Sequence, residues 1–463
     1  MPVKKAAGYT LDMTNGPLLS KMLVFALPLM LSTMLQLLFN AADLVVVSRF
    51  AGDNAMAAVG ANTSIINLLV NSFMGLSIGA NVLAARERGA GDHEEVNRTV
   101  HTAMALSLVG GVALIFVGVL GARWILTMMD APANILEQAI LYLRLYFLGM
   151  PAIMLYNFGA ALLRSVGDTR RPLVYLTVAG VVNVCLNLVL VIVFRLDVAG
   201  VAIATVVSQV ISAALVVRCM MRDGGDLHLE LRKLRIYPDK LKDILRVGLP
   251  AGLQSTLFSL SNVVIQSSVN SFGEIVVAGN SAAHNLEGFF YCSVSALMQA
   301  NISFVGQNMG AKKYRRVPRI MLTSYGCMVA AQVMISLICI FFGRTLLGIY
   351  TGTEPVLQAA LSRLTLLGHT YVICGFMDLT TSTLRGMGRG LMPMIVSLAG
   401  VVGTRMLWIF TVFRIPEYHT LWHLLLSYPI SWLITFSIHF ICWLITIRPL
   451  LKQEANLTER SAI

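Results

Sequence analysis

The chain has 463 residues, of which 57% are hydrophobic and only 13% are charged, and its formal net charge is +12. Soluble globular domains carry roughly one quarter charged residues, so this composition excludes a soluble protein built around one packed core. A lipid bilayer must solvate most of the chain. The basic excess then follows from membrane topology and requires no nucleic-acid partner.

Twelve apolar stretches are long enough to cross a membrane, since about 30 Å of hydrocarbon requires roughly 20 residues of helix. In chain order they lie near residues 22–48, 55–85, 99–121, 138–163, 172–194, 199–220, 243–271, 276–306, 320–343, 358–384, 392–413 and 424–447. The predicted fold class is therefore an all-α integral membrane protein with twelve transmembrane helices. Several of these helices are long enough to tilt or bend.

The second half of the chain repeats the first after about 221 residues. Residues 162–167 (Leu-Leu-Arg-Ser-Val-Gly) match residues 383–388 (Thr-Leu-Arg-Gly-Met-Gly), and a proline follows each match. Further matches in the same order pair Pro28 with Pro250, Asn40 with Asn262, Phe50 with Phe272 and Arg98 with Arg319. An ordered series of this kind indicates duplication. It predicts two parallel six-helix repeats, an N-lobe (1–217) and a C-lobe (247–463), joined by a cytoplasmic linker (218–246).

The basic residues fix the predicted orientation of the helices. If the N-terminus is cytoplasmic, the inner segments hold 27 of the 35 Lys and Arg residues. The outer connections hold one basic residue each, namely Arg49, Arg123, Arg195, Arg344 and Arg414. Because cytoplasmic connections hold the excess of positive charge, both termini are predicted to be cytoplasmic.

The chain lacks the motifs of several enzyme classes. It contains no glycine-rich loop closing on Lys-Ser or Lys-Thr, so ATP hydrolysis is not expected. The stretch that starts at His93 has Asn97 where a zinc protease needs its second histidine. The other histidines lack ligand spacing, and neither a resident metal nor another cofactor is predicted.

Four ionisable residues within the predicted helices require an explanation, because each costs about 2.5–3.5 kcal/mol or more at mid-depth. Glu287 and Arg405 fall near the midplane, Asp378 in the inner third and Asp43 in the outer third. One interpretation is structural, with Arg405 paired to Glu287 or Asp378. The other is functional, with the carboxylates facing a cavity where they attract cations and exchange protons.

The surroundings of Asp43 favour a functional role. Asn40 lies one turn earlier on the same helix face, and Pro28 removes a backbone hydrogen bond and provides a bend point. The alternative is an interfacial carboxylate that reaches outward to water or to Arg49.

Amide and hydroxyl side chains add to this region. Asn183 and Asn187 share one face of the fifth predicted helix, and Thr205 lies on the sixth. These groups could hold helices together by hydrogen bonds. With Asp43 they could equally form an oxygen-lined site for a proton or an ion.

Two further patterns have structural interpretations. The Gly-x-x-x-Gly pairs at Gly75 and Gly248 predict closely packed helices. Arg144 and Arg363, near the outer ends of equivalent helices, are expected to extend to the membrane interface.

The whole chain resembles the multidrug and toxin extrusion (MATE) transporters. The resemblance rests on Leu-Pro at 27–28, Asn-Ala-Ala-Asp at 40–43, Leu-Arg-Ser-Val-Gly-Asp-Thr at 163–169, Phe-Val-Gly-Gln-Asn-Met-Gly-Ala at 304–311 and Leu-Arg-Gly-Met-Gly at 384–388. It implies two six-helix lobes that face each other in a V around a central cavity. It also implies export of cationic, amphipathic drugs coupled to inward movement of protons or sodium, by a monomer in the bacterial cytoplasmic membrane.

The resemblance also implies a coupling site formed by Asp43, Asn183, Asn187 and Thr205. The family commonly has aspartate where this chain has Asn187, which puts sodium binding at this site in doubt. An acidic residue that some members carry in helix seven is missing as well. The charge of the C-lobe must then come from Glu287 and Asp378.

We therefore interpret the sequence as a secondary-active antiporter with Asp43 as its coupling residue. A flippase for lipid-linked precursors is the alternative, but its cavity should be markedly cationic to hold a pyrophosphate. An integral-membrane enzyme would need a nucleophile–base or metal constellation, which the sequence does not offer.

The predicted topology can be tested by labelling. In a cysteine-free background, Arg232→Cys should react with a membrane-impermeant thiol reagent only after the cells are permeabilised, because the linker is predicted to be cytoplasmic. A cysteine at Arg344 serves as the outer control. Strong labelling of position 232 in intact cells would contradict the predicted orientation and place the linker outside the cell.

Overall fold

The computed structural model describes residues 10–129 and 132–462, and this part of the chain is almost entirely helical. The fourteen α-helices are α1 (Leu18–Val46), α2 (Asp53–Ala90), α3 (His93–Met128), α4 (Leu136–Leu148), α5 (Met150–Ser165), α6 (Arg170–Asn187), α7 (Asp197–Met221), α8 (Pro238–Asn270), α9 (Glu274–Gly310), α10 (Arg316–Gly348), α11 (Glu354–Gly386), α12 (Leu391–Ser397), α13 (Thr404–Phe410) and α14 (Leu421–Ala462).

Short irregular segments join some of these helices into longer spans. Three π-helical segments continue or connect them: Val47–Ala51 after α1, Leu188–Val193 after α6, and Leu398–Gly403 between α12 and α13. Helices α4 and α5 form one span with a bend of 47°. Pro151 lies at the second position of α5, where the missing N–H of proline is tolerated but the preceding helix cannot continue unbroken.

Joined in this way, the helices of the described chain form twelve spans. Each predicted stretch lies within one of these spans or passes its end by a single residue, and most spans are several residues longer than predicted. Nine helices of the described chain are long and apolar enough to cross a membrane by themselves, and the bent α4–α5 pair makes ten. The remaining two spans, α8 and α11, are long enough but contain more polar residues. Helix α11 contains Arg363 and Asp378, both buried in the protein.

The backbone confirms the internal repeat. Gly52 and Gly273 precede α2 and α9 with nearly identical dihedral angles, φ 85° and ψ 174° against φ 86° and ψ 174°. Gly167 and Gly388 end the matched hexapeptides at φ 93° and 82°, a region that glycine enters without the steric cost of a Cβ atom.

The described residues divide into two compact units. The first contains the residues up to Asp12 together with Leu27–Gly252, and the second contains Met13–Ala26 and the residues from Leu253 onward. The divisions within α1 and α8 therefore fall within two residues of the repeat-related prolines, Pro28 and Pro250. The predicted linker overlaps the ends of α7 and α8, so the connection outside these helices is 222–237.

The core of the first unit lies among α2, α3, α4, α5 and α7. Phe147 packs so closely on α3 that a Cβ atom at Gly118 would lie 2.0 Å from its ring. In the second unit, α9 and α11 form the central pair, with α10 and α14 packed against α11. Asn301 of α9 joins that pair by donating to the Leu379 backbone oxygen at 3.0 Å.

The outward helix faces are strongly apolar. The most exposed large side chains include Leu120, Phe341 and Ile349, at 75%, 75% and 78% exposure. Such side chains are suited to contact with lipid, while the backbone polar groups are satisfied inside the helices.

The four glycines of the Gly-x-x-x-Gly pairs pack against one another within the first unit. A Cβ atom at Gly75 would lie 2.1 Å from the Gly252 backbone nitrogen, and one at Gly79 would lie 2.9 Å from the Gly248 nitrogen. The close packing predicted from the sequence is confirmed for α2 and the first part of α8.

This packing predicts opposite effects of the same substitution at two glycines. Gly252→Ala should destabilise the folded protein by about 1–3 kcal/mol, because its Cβ would lie 2.1 Å from the Ser72 backbone oxygen. Gly60→Ala in α2 has no neighbour within 4 Å and should be neutral or stabilising. Thermal unfolding of the purified variants in detergent measures both effects. Equal melting temperatures would contradict the close approach.

Candidate functional site

The first unit contains a cavity of about 280 Å³ that is lined by α1, α2 and α4–α7. Four of the predicted coupling residues, Asn40, Asp43, Asn183 and Thr205, line it. The fifth, Asn187, is buried beside them. The structure thus brings the whole predicted set together on α1, α6 and α7.

Asn187 makes the direct contact with Asp43. Its amide nitrogen Nδ2 donates to Asp43 Oδ1 at 2.5 Å and also lies 3.3 Å from Asn183 Oδ1. The Asn183 amide in turn lies 3.5 Å from Thr205 Oγ1. The other Asn187 atom, Oδ1, is buried and has no hydrogen-bond partner among the described residues.

Asp43 has no basic partner. No Lys, Arg or His nitrogen lies within 4.0 Å of its carboxylate in the described chain, so the alternative pairing with Arg49 is not seen. Asn40 shares the cavity but makes no hydrogen bond to Asp43. A half-buried carboxylate held by one amide can gain or lose a charge more readily than one fixed in an ion pair.

The local helix geometry positions both ends of this contact. Asp43 precedes the π-helical segment Val47–Ala51 by one turn, and Asn187 is the last α-helical residue before Leu188–Val193. These two π-helical segments contact each other. A π turn contains an extra residue, which changes the direction of the side chains around it, and such turns are frequent at functional sites.

Pro28 lies inside α1, as predicted. It cannot donate the backbone hydrogen bond that would otherwise reach the preceding turn. Its own carbonyl oxygen accepts a hydrogen bond from Ser32 Oγ at 2.9 Å. The helix therefore has a weakened turn on the N-terminal side of Asp43.

The second unit contains a cavity of the same volume, about 280 Å³. Glu287, Asp378 and Arg405, the three residues predicted to contact substrate, all line it. Arg363 also lines this cavity. The sequence analysis instead predicts that Arg363 extends to the membrane interface.

Arg363 forms a buried ion pair with Glu287, so the prediction that it extends to the interface is wrong. Its Nε and Nη2 atoms donate to the two Glu287 oxygens at 2.8 Å each. Nη1 donates to Asn280 Oδ1 at 2.6 Å. The arginine lies two and a half turns into α11 and faces α9, where burial is compensated by these three charge-assisted hydrogen bonds.

The repeat contained a signal for this pair. Arg144 occupies the matching position in the N-terminal half, where it is exposed and donates to the Val119 backbone oxygen at 3.2 Å. The position that matches Glu287 in that half is Ile66. Only the second copy therefore offers a carboxylate to the arginine.

Arg405 has no carboxylate within 4.0 Å among the described residues, so the structural interpretation that pairs it with Glu287 or Asp378 is wrong. In the described chain its partners are Ser431 Oγ at 3.1 Å and Asn262 Oδ1 at 3.5 Å. Its guanidinium lies over the Tyr428 ring, 4.2 Å from the centroid. The arginine follows the π-helical segment Leu398–Gly403 closely and faces the aromatic side of α14.

Asp378 also lacks an ion pair within 4.0 Å among the described residues. The Cys374 sulfur lies 3.9 Å from its Oδ2 atom. Tyr291 and Arg385 are the polar groups that interact with it. The cavity of the second unit thus combines one closed ion pair with one separate carboxylate and one separate guanidinium.

The described residues contain no cluster of side chains suited to bind a metal ion. Within residues 10–129 and 132–462, no three His, Cys, Asp or Glu side chains come close enough to hold a metal ion.

Comparison with known proteins supports transport. A sequence model of the MatE family matches residues 28–189 and 250–411, once in each repeat. The chain is 26% identical over 390 residues to "Probable multidrug resistance protein YoeA" of Bacillus subtilis (strain 168), covering 82% of this chain and 84% of that protein. It is 24% identical over 397 residues to a protein named "FAD transporter" of Shewanella oneidensis, covering 84% and 86%.

The solved structures confirm the predicted fold class. A MOP superfamily transporter from Pyrococcus furiosus, described by the reverse polarity of its binding pocket, superposes with a TM-score of 0.89 at 22% identity. The match covers 96% of this chain and 99% of that one. At 22% sequence identity, this similarity shows that the two proteins share a fold.

The Glu287–Arg363 pair yields a stability prediction. Arg363→Met should destabilise the protein by about 3–5 kcal/mol, because it leaves a buried carboxylate uncompensated. Adding Glu287→Gln to that variant should recover a large part of the loss. Thermal unfolding of the two single variants and the double variant in detergent forms the double-mutant cycle. Additive losses would show that the two side chains do not interact.

Proposed function

The chain belongs to the MatE family, and we propose that it is a secondary-active exporter of amphipathic organic compounds, driven by antiport with protons or sodium. The observation that carries this proposal is the half-buried contact of Asp43 with Asn187 beside a cavity. No enzymatic step and no resident cofactor belong to this function. The protein acts as a monomer in the bacterial cytoplasmic membrane, with both termini inside.

Asp43 is the coupling residue in this proposal, and the ion is a proton. A dehydrated sodium ion needs several hard oxygen ligands and gains most from anionic ones. With Asn at position 187 the local set has one carboxylate. The Asn187 amide also directs its N–H, and not its oxygen, toward that carboxylate. A proton neutralises Asp43 without a coordination shell.

Protonation would change the hydrogen bond between Asp43 and Asn187. The ionised carboxylate accepts from Nδ2, whereas a protonated one offers an O–H that suits the Asn187 oxygen. That oxygen has no partner in the described structure. Rotation of the amide would satisfy it and alter the packing of α1 against α6. The weakened turn at Pro28 lets α1 respond by bending, which biases a two-state equilibrium of the transporter.

Substrates bind, in this proposal, where Glu287, Asp378 and Arg405 face the cavity of the second unit. Asp378 is the group that attracts cationic drugs, because its carboxylate has no ion pair within 4.0 Å in the described chain. Glu287 contributes less to the selectivity for cations than an unpaired carboxylate would, because Arg363 neutralises its charge.

The alternative of a flippase for lipid-linked precursors is less well supported. A pyrophosphate requires a clear excess of positive charge. The second-unit cavity holds two guanidiniums against two carboxylates, and the first-unit cavity adds only Asp43. A relative named for drug resistance also favours drug export.

The coupling role predicts a specific loss of function. In liposomes, Asp43→Asn should reduce dye export driven by an imposed pH gradient to the level of protein-free vesicles. The reason is that an amide side chain neither binds nor releases a proton at physiological pH. The variant should still elute as a folded monomer.

The complementary variant, Asn187→Asp, adds a carboxylate to the site from which Asp43→Asn removes one. It should introduce or increase dependence on a sodium gradient at constant pH, because a second carboxylate completes a better cation site. Wild-type export that follows a sodium gradient and ignores a pH gradient would contradict the proton assignment.

A further inference from the structure

We propose that Arg405 determines specificity in the second-unit cavity, because it binds the anionic group of an aromatic substrate and so sets the preference for a free carboxylate over its ester. The inference rests on the proposed export function and specifies the chemical class that the second-unit cavity recognises. It assigns a carboxylate-binding role to one residue of the cavity.

Arg405 lacks the compensating negative charge that Arg363 has. Arg363 and Glu287 neutralise each other through two hydrogen bonds of 2.8 Å. Arg405 is 5% exposed, yet no carboxylate lies within 4.0 Å of it in the part of the chain that the structure describes. A buried cation without an anion is costly unless a ligand supplies the opposite charge.

Arg405 also has more N–H donors than it has acceptors among the described residues. A guanidinium has five N–H groups. Ser431 accepts from Nε and Asn262 from Nη1, and no other acceptor within the described residues contacts Arg405. Three donors thus remain on a side chain that lines the cavity. The fork geometry of the guanidinium suits a carboxylate, which can accept two parallel hydrogen bonds.

Aromatic rings form the wall of the cavity beside these donors. The Arg405 guanidinium lies 4.2 Å from the Tyr428 centroid and 6.0 Å from that of Trp432. Tyr371 packs edge-on against Trp432, with centroids 5.6 Å apart. All three rings line the cavity. A flat aromatic substrate can pack on them while its anionic group reaches the guanidinium.

The separate carboxylate completes the recognition of a zwitterion. Asp378 lines the same cavity and has no ion pair within 4.0 Å in the described chain. A compound with a cationic nitrogen and a carboxylate on one aromatic scaffold can therefore satisfy both residues at once. A purely cationic compound satisfies only Asp378.

A matched pair of dyes tests this inference. Rhodamine 110 carries a free carboxylate, and rhodamine 123 is its methyl ester with the same ring system. Binding is measured by fluorescence polarisation with the full-length protein in detergent. Arg405→Gln should raise the Kd for rhodamine 110 by about tenfold or more, the range of a lost charge-assisted hydrogen bond. The ratio of the two Kd values should shift toward rhodamine 123.

Two variants separate binding from structure. Arg405→Lys keeps the charge and should retain part of the preference for rhodamine 110. Arg344→Gln removes an exposed arginine that pairs with Glu354 outside the cavity, and it should leave the ratio unchanged. A merely structural role of Arg405 would weaken both dyes equally and leave the ratio as in wild type. That result would overturn the inference.

Transport measured in parallel distinguishes this inference from the proposed function. Dye binding that depends on Arg405 as described supports the inference whether or not gradients drive export. Liposomes that bind both dyes but export neither under any gradient would contradict the export function alone. Equal affinity of the wild-type protein for both dyes would contradict the carboxylate-binding role alone.

Discussion

Polar groups inside a bilayer must find partners within the protein or face an aqueous cavity, and the structure of this chain follows from that constraint. Arg363 satisfies it with Glu287 and Asn280, and Asn301 does so with the backbone of α11. The groups that satisfy it incompletely, Asp43 and Arg405, line the two cavities. Their unmet requirement for a proton or a ligand is the physical basis of the function proposed for them.

The two repeats share a backbone but differ in chemistry. Helix ends and turns coincide, as at Gly52 and Gly273, whereas the acidic positions do not. Where the first repeat has Asp43, the spacing of α1 and α8 places Ile265 in the second, and where the second has Glu287, the first has Ile66. Each repeat thus contains a cavity of about 280 Å³, and substitution has left Asp43 at one of them and Glu287 and Asp378 at the other.

The sequence predicted the fold, and it predicted which residues lie around Asp43, because both depend on regular spacing. The coupling role of those residues stays a prediction. Twelve apolar stretches and an ordered series of matches define the spans and the repeat. Asp43, Asn183 and Asn187 could be grouped because each falls on a definable helix face. Arg363 and Arg405 could not be placed in this way. Whether a long cationic side chain reaches the interface, a carboxylate or an aromatic ring depends on helix rotation and on π-helical turns, neither of which periodicity reveals.

The central claim follows from the proposed antiport with Asp43 as the coupling residue: the protein exchanges a proton for substrate, so substrate binding and the protonation of Asp43 oppose each other. It is tested most directly by measuring proton release from the purified protein in weakly buffered detergent, with a pH-sensitive dye, as rhodamine 123 is added. The account predicts roughly one proton released per wild-type molecule on saturation and none from Asp43→Asn. Release that is equal in both proteins, or release from neither together with sodium-dependent binding, would contradict it.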